Sequence, residues 1–192
     1  PQKSSDTLVA AQRLVSLISE KGKFGDALSV LRNEMIGSYC FTFLSDDSSV
    51  FAARDPRGFR PLVLGEKEDA QTYIVASESS GLSAIGAKLL RDVTPGELIK
   101  FSKNGIESEM FSKETTRAHC SFEFTYFAHP SSTMQGSNIY VSRKKIGQYL
   151  AKKFPIKDAD LVIPVPDSAR PAALGYAQEL GVPFDEGLLK DR

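Results

Sequence analysis

The chain lacks most of the features that mark specialised classes of protein. Its 24 Lys and Arg residues are balanced by 24 Asp and Glu, so the formal net charge is zero. Binding to nucleic acid or to an anionic membrane through general electrostatics needs an excess of positive charge, and neither partner is expected. No apolar run approaches the roughly 20 residues that a membrane-spanning helix requires. Cysteine occurs only at Cys40 and Cys120, too sparse for a disulfide framework, which points to a reducing, cytoplasmic setting. The start, Pro1-Gln2-Lys3-Ser4-Ser5, has no initiator Met and no apolar signal region, and reads as mid-protein sequence. Paired carboxylates, a Ser/His/Asp set, a glycine-rich phosphate loop, a zinc-ligand spacing and internal repeats are also missing.

What remains suits a globular protein of one or two domains: 192 residues, 41% of them hydrophobic, with no long low-complexity tract. Ser5 or Asp6 can cap a helix running to about Lys21, in which Leu8, Ala11, Val15 and Ile18 share a face. A second helix is expected over about Gly25 to Met35. Strand signals follow. Tyr39–Leu44 and Val50–Ala53 flank the polar turn Ser45–Ser49 as a hairpin, and Pro61–Leu64 and Tyr73–Ala76 are further strands. A short helix is expected from Ser79 to Ala87. Thr94-Pro95-Gly96-Glu97 fits a type II turn, and Asn104-Gly105 signals a type I′ hairpin.

The pattern changes after the polar stretch Ser112–His119. Strand and helix now alternate, with a long helix at about Tyr140–Lys153, as in a parallel α/β sheet. Two domains are therefore expected, 1–114 and 115–192. Ala159–Gly181 is the most informative part. The apolar run Leu161-Val162-Ile163 reads as a buried strand that stops at Pro164-Val165-Pro166-Asp167-Ser168 and gives way at once to a helix. Open α/β sheets bind ligands at such points, and a free helix N-terminus suits phosphate.

Each candidate residue has a structural and a functional reading. Arg54-Asp55-Pro56-Arg57-Gly58-Phe59-Arg60 reads mainly as a turn in which Asp55 accepts backbone N–H groups and arginines tie neighbouring strands. Ala76-Ser77-Glu78-Ser79 reads as strand end and helix cap. Asp6 is a cap by local chemistry, or a carboxylate that holds a substrate ammonium. Cys120, at the start of the aromatic stretch Phe122–Phe127, itself read as a strand, is by local chemistry a small buried hydrophobe, since a metal cluster would need further ligands nearby. Ser168 caps the following helix or meets Mg²⁺ beside a phosphate, and the two readings weigh evenly.

Seven stretches together resemble the amidophosphoribosyltransferase family: SDT (Ser5–Thr7), RDPRGFRPLVLG (Arg54–Gly65), VASES (Val75–Ser79), LLRDVTPGE (Leu89–Glu97), CSFEFTYFAHP (Cys120–Pro130), VIPVPDSARPAALGYAQELG (Val162–Gly181) and GLLKDR (Gly187–Arg192). They cover essentially the whole chain. The resemblance implies an α/β protein: the second part of an N-terminal-nucleophile glutaminase domain of four-layer αββα type, then the start of a type I phosphoribosyltransferase domain. It implies the first step of purine biosynthesis, in which glutamine, phosphoribosyl pyrophosphate and water give 5-phosphoribosylamine, glutamate and pyrophosphate.

By position, the resemblance assigns Asp6 to the glutamine ammonium and Ser168 to Mg²⁺. Tyr126 falls where the family's two active sites communicate. Lys190 and Arg192 begin the loop over the ribosyl donor, and Cys120 matches a ligand of the [4Fe–4S] cluster found in one branch. Purine nucleotides as inhibitors, a homotetramer and a cytoplasmic location are implied as well. Leu8 replaces the family's acidic residue after SDT, and Phe127–Ser132 loses an Arg and an Asp of the family's FARPDS. A nucleophilic Cys and a paired-aspartate ribosyl-phosphate loop are expected outside the chain, upstream and downstream, so the chain by itself is expected to be inactive. The alternatives are a non-catalytic, phosphoribosyltransferase-like nucleotide-binding regulator and another N-terminal-nucleophile amidotransferase.

Overall fold

The computed structural model describes residues 5–68, 71–114 and 116–191. By packing, the chain divides into two compact units, residues 1–75 with 90–119, and residues 76–89 with 120–192. Among the described residues no helix is long and apolar enough to cross a membrane.

The first unit opens with α1 (Asp6–Lys21), whose N-cap is Ser5; the Ser5 Oγ accepts the Leu8 N–H at 3.2 Å. Ala10, Leu14 and Leu17 form its buried face. The face made by Leu8, Ala11, Val15 and Ile18 is not the buried one, since Leu8 and Val15 are 49% and 64% exposed. Two apolar stripes fit the helical period in this segment, and packing against α2 (Phe24–Glu34) selects between them. Leu28 and Leu31 of α2 complete that contact.

A four-stranded antiparallel sheet of order β1-β2-β6-β7 lies against the helices, built from β1 (Cys40–Leu44), β2 (Val50–Arg54), β6 (Glu97–Ser102) and β7 (Gly105–Met110). Period-2 alternation sorts its side chains. Phe51, Ala53 and Leu98 join the helix core, where Phe24 stacks on Phe51 with ring centroids 4.3 Å apart. Ala52 and Ile99 point the other way and pack with Leu62, Leu64 and Val93. The strands β3 (Val63–Glu66), β4 (Tyr73–Ala76) and β5 (Lys88–Asp92) form a second sheet of order β4-β3-β5.

The expected β1–β2 hairpin is present, with Leu44 opposite Val50. The type II turn is present too: Glu97 N–H donates to Thr94 O at 3.0 Å, and Gly96 has φ 79°. The β6–β7 hairpin turns one residue earlier than Asn104-Gly105 would place it. Ser102 pairs with Gly105, so Lys103 and Asn104 form the tip, and of these residues only Gly105 has positive φ, 111°. A type I′ turn needs positive φ at both tip residues, so this turn is of another type.

The second unit contains α3 (Ser79–Ala84), a π-helical turn (Glu123–Phe127), the small hairpin β8 (Thr133–Met134) and β9 (Ser137–Asn138), then α4 (Ile139–Lys153) and α5 (Arg170–Leu180). Asn138 caps α4, its Oδ1 accepting the Val141 N–H at 3.1 Å. Helices α4 and α5 pack backbone to backbone through Gly147 and Gly175. A Cβ on either glycine would run into the Ala172 or the Lys144 carbonyl, respectively.

Two expected strands take other forms. Phe122–Phe127 is helical: the Ala128 N–H reaches back to Glu123 O at 3.1 Å, the five-residue π spacing. Alternating aromatics favour extended backbone only where neighbouring strands are present to pair with, and tertiary partners here stabilise the turn instead. The run Leu161-Val162-Ile163 is not a buried strand. It makes one isolated parallel bridge, Val162 to Phe184, and Leu161 and Ile163 are 49% and 43% exposed. A parallel strand becomes buried when strands and helices cover both edges and faces; the bridge to Phe184 covers one edge.

Candidate functional site

The loop after Ile163 delivers its polar residues to a cleft. The Pro166–Asp167 peptide is cis. Helix α5 starts at Arg170, with Ala169 as N-cap and no side-chain capping bond, and with Pro171 in its first turn. Ser168 is therefore not the helix cap that its local sequence allows. Its half-buried side chain instead lines a cleft of about 590 Å³ in the second unit, shared with Tyr126, Asp167 and Lys190. The exposed Asp167 carboxylate lies 3.8 Å from the Arg170 guanidinium, which also meets Glu186 at 3.1 Å.

Glu78, His129 and Arg143 also line this cleft. The structure thus brings Ser168, Tyr126 and Lys190 together and adds residues that local sequence chemistry did not single out as functional. Glu78 makes no capping bond to α3, contrary to the expected cap. Its Oε2 accepts the His129 N–H at 2.7 Å and the Ser132 hydroxyl at 2.9 Å. Arg143 is 2% exposed and donates from Nε to Phe124 O at 2.7 Å and from Nη2 to Ala128 O at 2.8 Å. Burial lowers the Arg143 pKa from its usual value, with the nearby Glu78 carboxylate acting in the opposite direction. The signal for Arg143 was present in the sequence. It shares a helix face with Ile139, Gly147 and Ala151, and a charge in line with such a stripe calls for a buried partner.

The other expected site residues lie elsewhere. Asp6 is exposed in the first turn of α1, in the first unit. Cys120 is buried at 8% exposure just before the π-helical turn. Arg192 lies outside the described residues. The Arg54–Arg60 turn is structural, as expected: the buried Arg54 guanidinium donates to the carbonyls of Gly58, Arg60 and Val93, and Asp55 accepts the N–H groups of Arg57 and Phe59, each at 3.0 Å.

Among the described residues no group of three or more His, Cys, Asp and Glu is placed to hold a metal ion. A [4Fe–4S] cluster takes four cysteine thiolates, so Cys120 with the described residues does not make up its ligand set. Mg²⁺ has different needs. It commonly binds through one or two protein oxygens and shares the rest of its shell with water and substrate phosphate. The Ser168 hydroxyl and Asp167 carboxylate at an open cleft fit that requirement.

Comparison with known proteins gives the cleft a context. No family model matches the chain. In solved structures the same mixed α/β fold occurs in the glutamine phosphoribosylpyrophosphate amidotransferase of Bacillus subtilis complexed with ADP and GMP, with a TM-score of 0.88 and 39% identity over 100% of this chain and 41% of that one. A structure described as the allosteric regulatory enzyme of purine biosynthesis gives a TM-score of 0.89 at 39% identity, covering 100% of this chain and 40% of the other. Among curated proteins, the amidophosphoribosyltransferase of Archaeoglobus fulgidus is 42% identical over 188 residues, which is 98% of this chain and 40% of that protein. The amidophosphoribosyltransferase of Bacillus subtilis is 40% identical over 197 aligned residues, 100% of this chain and 39% of that protein. By fold the chain is a mixed α/β protein of the phosphoribosyl-pyrophosphate amidotransferase type. By sequence it belongs with the amidophosphoribosyltransferases, and it spans about two fifths of the length of the curated relatives it matches.

Proposed function

We propose that the protein carrying this chain is a glutamine-dependent amidophosphoribosyltransferase, a glycosyl-transferring enzyme that makes 5-phosphoribosylamine at the first step of purine biosynthesis. The observation that carries the proposal is the agreement over the whole chain, at 39% identity and a TM-score of 0.88, with a solved phosphoribosyl-pyrophosphate amidotransferase. On this reading the first unit belongs to an N-terminal-nucleophile glutaminase domain of αββα layering, and much of the second unit opens a phosphoribosyltransferase domain.

The chain's residues then have definite tasks. Asp6 offers a carboxylate to the α-ammonium of glutamine, from a helix first turn where an exposed acid is favourable. A thiolate contributed by the rest of the protein attacks the glutamine amide carbon, the C–N bond breaks to release ammonia, and water hydrolyses the resulting glutamyl thioester to glutamate and the free thiol. In the cleft, the Lys190 ammonium receives the pyrophosphate of the ribosyl donor. Ser168 and Asp167 provide oxygen ligands for Mg²⁺, which when bound neutralises pyrophosphate charge. Ammonia displaces pyrophosphate from the anomeric carbon, and the departing oxygen keeps the electron pair of the broken C–O bond. Arg192, like Lys190, offers a positive charge to the ribosyl donor. In members with a [4Fe–4S] cluster, Cys120 is the position that ligates it.

Inhibition by purine nucleotides, a homotetramer and a cytoplasmic location complete the proposal. The test is pyrophosphate release by the full-length protein. Release that requires both glutamine and phosphoribosyl pyrophosphate supports the assignment. Tight nucleotide binding without turnover would replace it with a non-catalytic regulator.

A further inference from the structure

Tyr126 reaches the cleft from an irregular segment, residues 123–132, whose conformation depends on partners outside itself. A π-helical turn is a rare form with poorly satisfied ends, and this one is held by two side chains. From α4, the buried Arg143 guanidinium donates to Phe124 O at 2.7 Å and Ala128 O at 2.8 Å. From the segment before α3, Glu78 accepts the His129 N–H at 2.7 Å and the Ser132 hydroxyl at 2.9 Å. Neighbouring hydroxyls extend the attachment: Ser132 Oγ accepts the Ser80 N–H at 3.2 Å, and Ser79 Oγ accepts the Thr133 N–H at 2.8 Å. Glu78 and Arg143 both line the cleft that contains Tyr126, Ser168 and Lys190.

We propose that Glu78 and Arg143 are positioning residues for the ribosyl-donor cleft, fixing the 123–132 wall so that Tyr126 faces Ser168 and Lys190 in a binding-competent arrangement. The proposal rests on the function assigned above. Hydrogen bonds to a charged group are worth more than neutral ones, and both attachments use one. Glu78 is the more informative of the two. It lies in residues 76–89, far in sequence from the wall it holds, and one carboxylate oxygen accepts both bonds.

The experiment uses the full-length protein with Phe124→Trp as reporter, because Phe124 is partly buried against Ala128, Met134 and Ile139 and this chain has no tryptophan of its own. Into that background go Glu78→Ala, Glu78→Gln and Ser132→Ala. The first readout is acrylamide quenching of the new indole without ligand, relative to the parent lacking the substitution. Glu78→Ala should raise quenching of this residue several-fold, and Glu78→Gln, whose amide oxygen still accepts both bonds, should restore much of the protection. The second readout is kinetic. Glu78→Ala should raise the KM for phosphoribosyl pyrophosphate roughly tenfold, the size expected for lost hydrogen bonds to a charged acceptor, with the KM for glutamine unchanged and Ser132→Ala intermediate. Unchanged quenching and unchanged KM in Glu78→Ala would overturn the proposal, as would equal loss in the Ala and Gln variants. The quenching result tests the positioning role even if the unsubstituted protein shows no turnover, which would instead count against the proposed function.

Discussion

Gly147 of α4 faces Ala172 of α5 so closely that a Cβ at position 147 would overlap the Ala172 carbonyl, and Gly175 meets the Lys144 carbonyl in the same way. Neither obstacle is a flexible side chain, so the backbones themselves must move apart to admit a methyl group. Overpacking of this kind costs about 1–3 kcal/mol. Gly147→Ala and Gly175→Ala should each destabilise the second unit by that amount in urea denaturation. Gly81→Ala is the contrast: its nearest neighbour would be the Ala76 Cβ at 3.6 Å, an ordinary contact. That variant should be neutral or more stable by up to about 1 kcal/mol, because it removes a helical glycine.

Arg54 holds the turn between β2 and β3 through the carbonyls of Gly58, Arg60 and Val93, at 3.1, 2.9 and 2.7 Å. Arg54→Met removes the donor that these carbonyls share at a nearly fully buried site, although the Gly58 carbonyl keeps its contact with His119 Nδ1 at 2.9 Å. The expected loss is about 3 kcal/mol or more, read from the denaturation midpoint of the first unit. Arg54→Lys should recover only part of it, because an ammonium cannot reproduce the planar fork that reaches all of these carbonyls.

Acid should weaken the first unit partly through Glu97. Burial alone would raise its pKa, but the bidentate Arg91 guanidinium and the Thr94 N–H hold it below the usual carboxylate range. The folded pKa is thus lower than the unfolded value of about 4.3. The stabilisation is present above that unfolded value and is lost as pH falls through the folded one. Glu97→Gln should lower stability at pH 7 and flatten the decline between pH 5 and pH 3. Asp55 has the opposite sign: burial raises its pKa despite the N–H groups of Arg57 and Phe59. Asp55→Asn should therefore leave a steeper acid decline than the unsubstituted protein shows.

Ser168 separates a structural from a functional role directly. Loss of a helix cap costs about 1 kcal/mol, but α5 has no side-chain cap. Ser168→Ala should leave the melting temperature unchanged while raising the KM for phosphoribosyl pyrophosphate by roughly tenfold. A lowered melting temperature with unchanged KM would return Ser168 to the role of a cap.

Much of the fold was legible because local chemistry and tertiary packing agree there. The boundaries of α1, α2 and α4, the β1–β2 hairpin, the type II turn at Pro95-Gly96 and the bonds of Arg54 and Asp55 within residues 54–60 all follow from residues close in sequence, whereas the helix expected over Ser79–Ala87 ends earlier, at Ala84. Disagreements appear where distant partners decide. Two apolar stripes compete on α1, and α2 selects Leu14 and Leu17. Phe122–Phe127 has strand-like composition, yet Arg143, from a later helix, fits its carbonyls to a π-helical turn. Glu78 has the position of a helix cap and instead bonds residues about fifty positions later. In the site, Ser168 and Lys190 could be placed by motif, and the buried stripe of α4 marks Arg143 as needing a partner, but nothing near Glu78 or Arg143 in sequence shows which carbonyls and hydroxyls they meet.

The assigned chemistry is tested most directly by following the amide nitrogen. Full-length protein is incubated with amide-¹⁵N glutamine, phosphoribosyl pyrophosphate and Mg²⁺, and the unstable amine product is trapped and analysed by mass spectrometry. The account predicts 5-phosphoribosylamine carrying ¹⁵N, formed in step with pyrophosphate and suppressed by Ser168→Ala at low donor concentration. Glutamine hydrolysis with no label in a ribosyl product, at saturating donor, would contradict it.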